Sequence, residues 1–160
     1  MYKSYFTSPL GPLLLQCTNE AITMVSFWEG SSEPSDKHPL LLKCHQQLEE
    51  YFSGQRRTFS LPLQLNGTTF QTRVWNALQN IPYGRTISYM DLSKTLGDVK
   101  AIRAVGMANG RNTIAILIPC HRVIGSNTKL TGYAGGLWRK QWLLEHEAKF
   151  HSGLQTLPFQ

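Results

Sequence analysis

The chain changes character at Asn66-Gly67-Thr68, and that break constrains the fold more than any single motif. Before it, short β-prone runs dominate. Tyr2–Thr7, Leu13–Thr18 and Ala21–Trp28 read as strands, with Ser8-Pro9-Leu10-Gly11 as the first turn. Glu29–His38 is a polar, Pro- and Ser-containing loop. From Pro39 to Phe52, Leu40, Leu41, Cys44, Leu48, Tyr51 and Phe52 recur near helical spacing, and Gly54 is the stop. Phe59, Leu61, Leu63 and Leu65 then alternate with Ser60, Pro62, Gln64 and Asn66, which predicts a half-buried strand; Pro62 confines it to an edge.

After the break the period becomes helical. Thr69 is the expected cap of a helix in which Phe70, Val74, Ala77, Leu78 and Ile81 share a face, ending at Pro82-Tyr83-Gly84. Ser88 caps a short helix through Leu92 and Leu96, Gly97 closes it, and Val99–Asn109 is the next helix. Two short helices around a tight Gly-containing turn form a helix-turn-helix. Ile114–Ile118 is too short an apolar run for a helix and reads as a buried extended segment. Leu137–Ala148 is the last helix. These patterns predict an α/β (α+β) chain: an N-terminal α/β domain over 1–66, a mainly helical domain over 67–150 and a tail over 151–160.

Charge follows the same division. Residues 1–69 carry five basic and six acidic side chains, whereas residues 70–160 carry eleven and four, so the whole net charge of +6 comes from the second part. Such a surplus attracts polyanions such as nucleic acid, although many soluble domains are basic without binding any. No uncharged apolar stretch reaches the roughly 18 residues of a spanning helix. Cys17, Cys44 and Cys120 are odd in number and far apart, against a disulfide framework or a Cys-x-x-Cys metal site. A cytoplasmic protein with no membrane partner is expected, with no metal: Cys17, His38, Cys44 and His45 have no recognised ligand spacing.

A sequence-reading helix presents several long polar side chains. Ala101–Asn109 offers only Arg103 and Asn109, among Ala101, Ala104, Gly106, Met107 and Ala108. Two readings stand side by side: close approach to a DNA surface by shape and phosphate contact, or close packing in a core.

Pro119-Cys120-His121-Arg122-Val123 carries the chemistry. Cys17 and Cys44 suit small buried hydrophobes, but Cys120 adjoins an imidazole where an apolar segment ends. Neighbours in an extended chain point to opposite sides, so a water is the natural link between Cys120 and His121. His121 needs an orienting acceptor, and Glu145 and Glu147 on the last helix are available. A cysteine hydrolase is disfavoured because Cys and His are adjacent, and a sequence-reading regulator because its helix is bare.

This pentapeptide resembles the active-site signature of the O6-alkylguanine-DNA alkyltransferases. The resemblance extends through Ile87-Ser88-Tyr89, Arg103-Ala104-Val105-Gly106, Tyr133-Ala134-Gly135-Gly136 and Trp142-Leu143-Leu144-Glu145-His146-Glu147, with a weaker likeness at Ser8–Leu13. It implies a ribonuclease-H-like first domain and a second domain with the helix-turn-helix and cysteine loop. It also implies direct-reversal repair: Cys120 takes the alkyl group from O6-alkylguanine, and from O4-alkylthymine, in double-stranded DNA, once per molecule and without cofactor. His121 activates Cys120 through water and is held by Glu147. Tyr89 protonates the departing base and helps rotate it out. Arg103 fills the vacated stack from the minor groove, on a helix kept slim by Ala104 and Gly106. Asn112 ties the helix-turn-helix to the cysteine loop. Val123, Tyr133, Ala134 and Gly135 line the pocket of a protein expected to act as a monomer. Ala134 stands where some members carry Ser, removing one hydroxyl from that pocket. Non-catalytic lesion-binding relatives replace the cysteine, which this chain keeps.

Overall fold

The computed structural model describes residues 1–126 and 130–152. It divides into two compact units: 1–66 with 113–117, and 67–112 with the residues from 118 onward. Thus the extended run predicted at Ile114–Ile118 lies mainly in the first unit, a departure from a simple cut at residue 66.

The first unit is built on β1 (Tyr2–Ser8), β2 (Gly11–Cys17) and β3 (Ile22–Phe27), antiparallel in that order. The β1–β2 register pairs Ser8 with Gly11 across the two-residue turn Pro9-Leu10. Gly11 has φ 103°, which a side chain would oppose. Helix α1 (Pro39–Phe52) starts with Pro39 and is capped by His38, whose Nδ1 accepts from the Leu40 N–H at 3.1 Å. It buries Leu41, Cys44, Leu48 and Tyr51, matching the expected apolar stripe. Gln47, on the same face, binds the backbone N–H and hydroxyl of Ser60 at 3.0 and 3.1 Å, anchoring the alternating segment 59–65.

The far edge of β3 is covered in two places. Ile22 exchanges hydrogen bonds with Pro62 and Gln64, and Val25 with Thr113 and Ala115, both parallel. Only Leu63 of the predicted edge strand forms a bridge, because Pro62 lacks a donor for a longer ladder. The Ala115–Leu117 turn is tight: Leu117 N–H donates to the Ala115 carbonyl at 2.8 Å, around Ile116 at φ 72°. For a β-branched residue this left-handed γ-turn is strained, at a cost on the order of 1–3 kcal/mol.

The second unit contains α2 (Thr69–Leu78), β4 (Ile87–Ser88), α3 (Tyr89–Thr95), α4 (Ile102–Gly110), β5 (Val123–Ile124) and α5 (Leu137–Ser152). Thr68, one residue before the expected cap, starts α2. Its hydroxyl accepts from Gln71 N–H at 3.1 Å, and the Gln71 side chain returns a bond to Thr68 N–H at 3.0 Å. That reciprocal capping box selects Thr68 over Thr69. Ser88 caps α3 as expected, and Gly97 at φ 85° turns the chain. Asp98 then caps a 3-10 turn, Val99–Ala101, which precedes α4, so the single helix expected over Val99–Asn109 has two parts. The buried Trp75 indole of α2 donates to the Ala108 carbonyl of α4 at 2.8 Å. Gly67 is required beside it, since a Cβ there would lie 2.5 Å from the Trp75 ring. Strands β4 and β5 pair in parallel. His151 and Ser152, expected in the tail, complete α5, and the remainder of the tail, 153–160, lies outside the described residues.

Candidate active site

Pro119 (φ −82°, ψ 64°) makes a relaxed γ-turn, with Cys120 N–H donating to the Ile118 carbonyl at 2.8 Å. Cys120, His121 and Arg122 then form one 3-10 turn, not the extended chain expected, so consecutive side chains diverge by about 120°. All three are buried.

The turn directs His121 and Arg122 onto Glu147 of α5. His121 Nε2 lies 2.6 Å from Glu147 Oε2, with both side chains essentially inaccessible. Arg122 grips the same carboxylate with two donors, Nε to Oε1 at 2.8 Å and Nη2 to Oε2 at 3.1 Å. Its Nη1 donates to the Ile81 carbonyl at 2.7 Å. Gly84 N–H adds a fourth bond to the carboxylate at 3.2 Å. Glu145 is instead half-buried and bound by Gln141.

Burial alone would raise the Glu147 pKa, but His121 and Arg122 overcome it and hold the carboxyl well below the usual range. For His121, burial is the larger influence and lowers its pKa despite Glu147. The pair is therefore a carboxylate and a neutral imidazole whose Nε2–H donates to Glu147. Nδ1 remains as the basic nitrogen, buried and without a hydrogen-bond partner among the described residues.

Cys120 is 6% exposed. Burial raises its pKa, against a hydrogen bond from Asn112 and the charge of Lys140. The resting group is a thiol, which needs a base before it becomes a good nucleophile. Asn112 also donates to the Ile118 carbonyl at 2.8 Å, so one carboxamide steadies the chain before Cys120 and solvates its sulfur.

Lys140, seven residues before Glu147 on α5, is fully buried. Its Nζ donates to the Val123 and Thr131 carbonyls, each at 2.6 Å. Burial pushes its pKa down to about 8, and Cys120 pulls it upward. Tyr89, at the start of α3, donates to the carbonyl of Thr131 at 3.1 Å, with Gly132 at 3.4 Å. Gly132 has φ 53°, and a Cβ there would sit 3.4 Å from the Tyr89 hydroxyl. Val123 is fully buried, and its carbonyl is one of the two that Lys140 Nζ binds. Tyr133 is half-buried with its hydroxyl buried, Ala134 is exposed and Gly135 half-buried.

Helix α4 has two faces. Arg103, Ala104, Met107 and Arg111, just beyond its end, are exposed, whereas Val105, Ala108 and Asn109 are buried. Gly106 approaches the Tyr89 ring, which a Cβ would meet at 3.9 Å. Arg103 is therefore available to a partner, whereas Asn109, the other long polar side chain of this helix, is turned inward: its Nδ2 donates to the Cys120 carbonyl at 3.3 Å. Helical phase carries this signal, since Asn109 lies four residues after buried Val105 and six after Arg103. Lys140 was legible in the same way, three and four residues before Leu143 and Leu144. Among the described residues no three His, Cys, Asp or Glu side chains gather as metal ligands. No helix among them is long and apolar enough to cross a membrane.

A helix-turn-helix with a buried Cys–His–Glu set beside it marks a DNA-binding group-transfer protein. Residues 1–65 match the ribonuclease-like domain of the 6-O-methylguanine DNA methyltransferases, and residues 69–149 match their DNA-binding domain. The chain belongs to this family and is a DNA-binding methyltransferase. It is 46% identical over 153 residues to a methylated-DNA–protein-cysteine methyltransferase of Methanosarcina acetivorans, covering 92% of this chain and 98% of the relative. A protein of the same name from Mycobacterium tuberculosis strain H37Rv is 48% identical over 145 residues, 88% of each chain. The crystal structure of M. tuberculosis OGT in complex with DNA superposes with a TM-score of 0.87 at 43% identity, covering 94% of each chain.

Proposed function

We propose that this protein repairs O6-alkylguanine in duplex DNA by moving the alkyl group irreversibly onto Cys120. The observation that carries the reading is the buried His121–Glu147 bond adjoining a buried thiol. His121 Nδ1 takes the thiol proton through one water, and Glu147 stabilises the imidazolium that forms. The thiolate attacks the alkyl carbon, an S–C bond forms, and the C–O6 bond breaks with its electron pair leaving on the base. Tyr89 gives that base a proton, and the tyrosinate is neutralised by the proton taken from the thiol. Thiol and O6-alkylguanine thus become thioether and guanine with atoms and charge balanced.

Small Ala104 and Gly106 allow α4 to enter the minor groove, and Arg103 occupies the stack once the lesion rotates out. The pocket around Cys120 receives the base between the Val123 backbone and Tyr133, Ala134 and Gly135. Ala134 supplies no hydroxyl, so recognition of the lesion oxygen falls to backbone N–H groups. O4-alkylthymine, being smaller, is a second substrate of the same chemistry. A monomer suffices, because one chain carries every group named.

The test is intact mass before and after incubation with duplex DNA containing O6-methylguanine. A gain of one methylene, mapped to Cys120 and saturating at one per protein, is expected. Tight lesion binding without mass gain would make the protein a damage sensor, and neither gain nor lesion preference would leave only a DNA-binding protein.

A further inference from the structure

Asn109 stands between the two groups to which the proposed reaction assigns proton movement, and neither the capping nor the core packing of α4 explains it. The residue is 1% exposed. One Nδ2 hydrogen goes to the Cys120 carbonyl at 3.3 Å, and the carboxamide also hydrogen-bonds toward the Tyr89 phenol. Oδ1 is buried without a hydrogen-bond partner among the described residues. Exchanging the amide's N and O would set Oδ1 against the Cys120 carbonyl oxygen, two acceptors facing each other, so the observed orientation is fixed. Leaving Oδ1 unsatisfied is costly, on a helix where an apolar side chain would fill the same buried place without that cost.

A donor is worth keeping there for what it does to the phenol. Tyr89 already donates its own hydrogen to Thr131, so its oxygen has lone pairs to offer. A second hydrogen bond received by that oxygen favours the phenolate and makes the O–H a stronger donor. Burial and the nearby cysteine act the other way on Tyr89, while the side chains of Thr131 and Asn109 oppose them. We propose that Asn109 is a positioning residue for alkyl transfer, holding the Tyr89 phenol in register with the Cys120 loop and strengthening it as the proton donor to the departing base. This inference rests on the function proposed above, in which Tyr89 protonates that base.

The test is a double-mutant cycle on single-turnover transfer from O6-methylguanine duplex DNA, using wild type, Asn109→Leu, Tyr89→Phe and the double variant. Asn109→Ala runs in parallel, so that a folding failure of the leucine variant does not end the test; circular dichroism and thermal midpoint report folding. Loss of a general acid slows a reaction by roughly 10²-fold or more, and loss of its supporting bond should slow transfer about tenfold. In the Tyr89→Phe background the same Asn109 change should slow transfer by less than about twofold, because the group it acts through is gone. If the two effects multiply, Asn109 serves only the fold of the cysteine loop and the inference is overturned. It is equally overturned if Tyr89→Phe transfers at the wild-type rate. Wild-type protein that gains no methylene would instead remove the proposed function itself, and with it the basis for this inference.

Discussion

Cys44 and Cys120 are both buried thiols, yet only one is surrounded by groups that could use it. Cys44 lies on the apolar face of α1, where burial, reinforced by Cys17, pushes its pKa to about 12. Burial also raises Cys120, but Asn112 and Lys140 oppose it, and the neighbouring imidazole is itself held by a carboxylate. Burial alone therefore does not separate the two cysteines. The difference lies in whether polar groups were brought into the core with the sulfur, which is expensive unless every charge is paired.

The sharpest test of that contrast is deletion of each thiol. Cys120→Ala should abolish transfer while leaving affinity for lesion-containing duplex within about threefold, since it removes only the proposed nucleophile. Equal loss of both in mass and binding assays would break the separation. Next comes the support. Glu147→Gln leaves Arg122 buried and without its ionic partner, and should destabilise the protein by about 3–5 kcal/mol in denaturant melts. It should also shift the pH profile of transfer, and an unchanged profile would reduce Glu147 to a structural residue.

Acidification probes the same support. Both His121 and Glu147 have lowered pKa values in the fold, so the unfolded chain binds more protons. Stability is fully present above about pH 6.5, the unfolded histidine value. It should be lost first as His121 is forced to charge, then further below about pH 4.3 as Glu147 departs from its unfolded value. A thermal midpoint flat from pH 7 to pH 4 would contradict this. Arg103→Ala should slow transfer in duplex roughly tenfold or more but leave reaction with free O6-benzylguanine nearly unchanged. A parallel loss with both would make Arg103 structural. The smallest effect belongs to Cys44→Ala: about 1 kcal/mol of stability and no change in transfer rate.

How far the sequence exposed this arrangement depended on whether the signal was local. The three strands, α1 and the Ser88 cap follow from alternation, apolar spacing and turn residues within a few positions. The choice of Thr68 over Thr69 turned on which one Gln71 could bond back to, a reciprocity that two adjacent threonines conceal. Among the acidic residues of α5, Glu145 and Glu147 were both plausible from composition; three-dimensional placement puts His121 and Arg122 on Glu147. Lys140 and Asn109 escaped because long polar side chains are ordinarily taken as surface. Their helical phase, alongside Leu143 and Leu144 or Val105 and Ala108, marked them as buried.

The seam along β3 bears on how the chain is made. The backbone of Val25 is completed by Thr113 and Ala115, which leave the ribosome long after the sheet they close. At about 5–20 residues per second, the nascent sheet keeps an open edge for several seconds. A fragment ended at residue 66 would keep that edge permanently, with hydrogen-bonding groups free to recruit a strand from another copy. The apparent joint in the sequence is therefore a poor place to cut the gene. An N-terminal piece meant to stay soluble needs residues 113–117 supplied, by fusion or by rearranging the order of the chain.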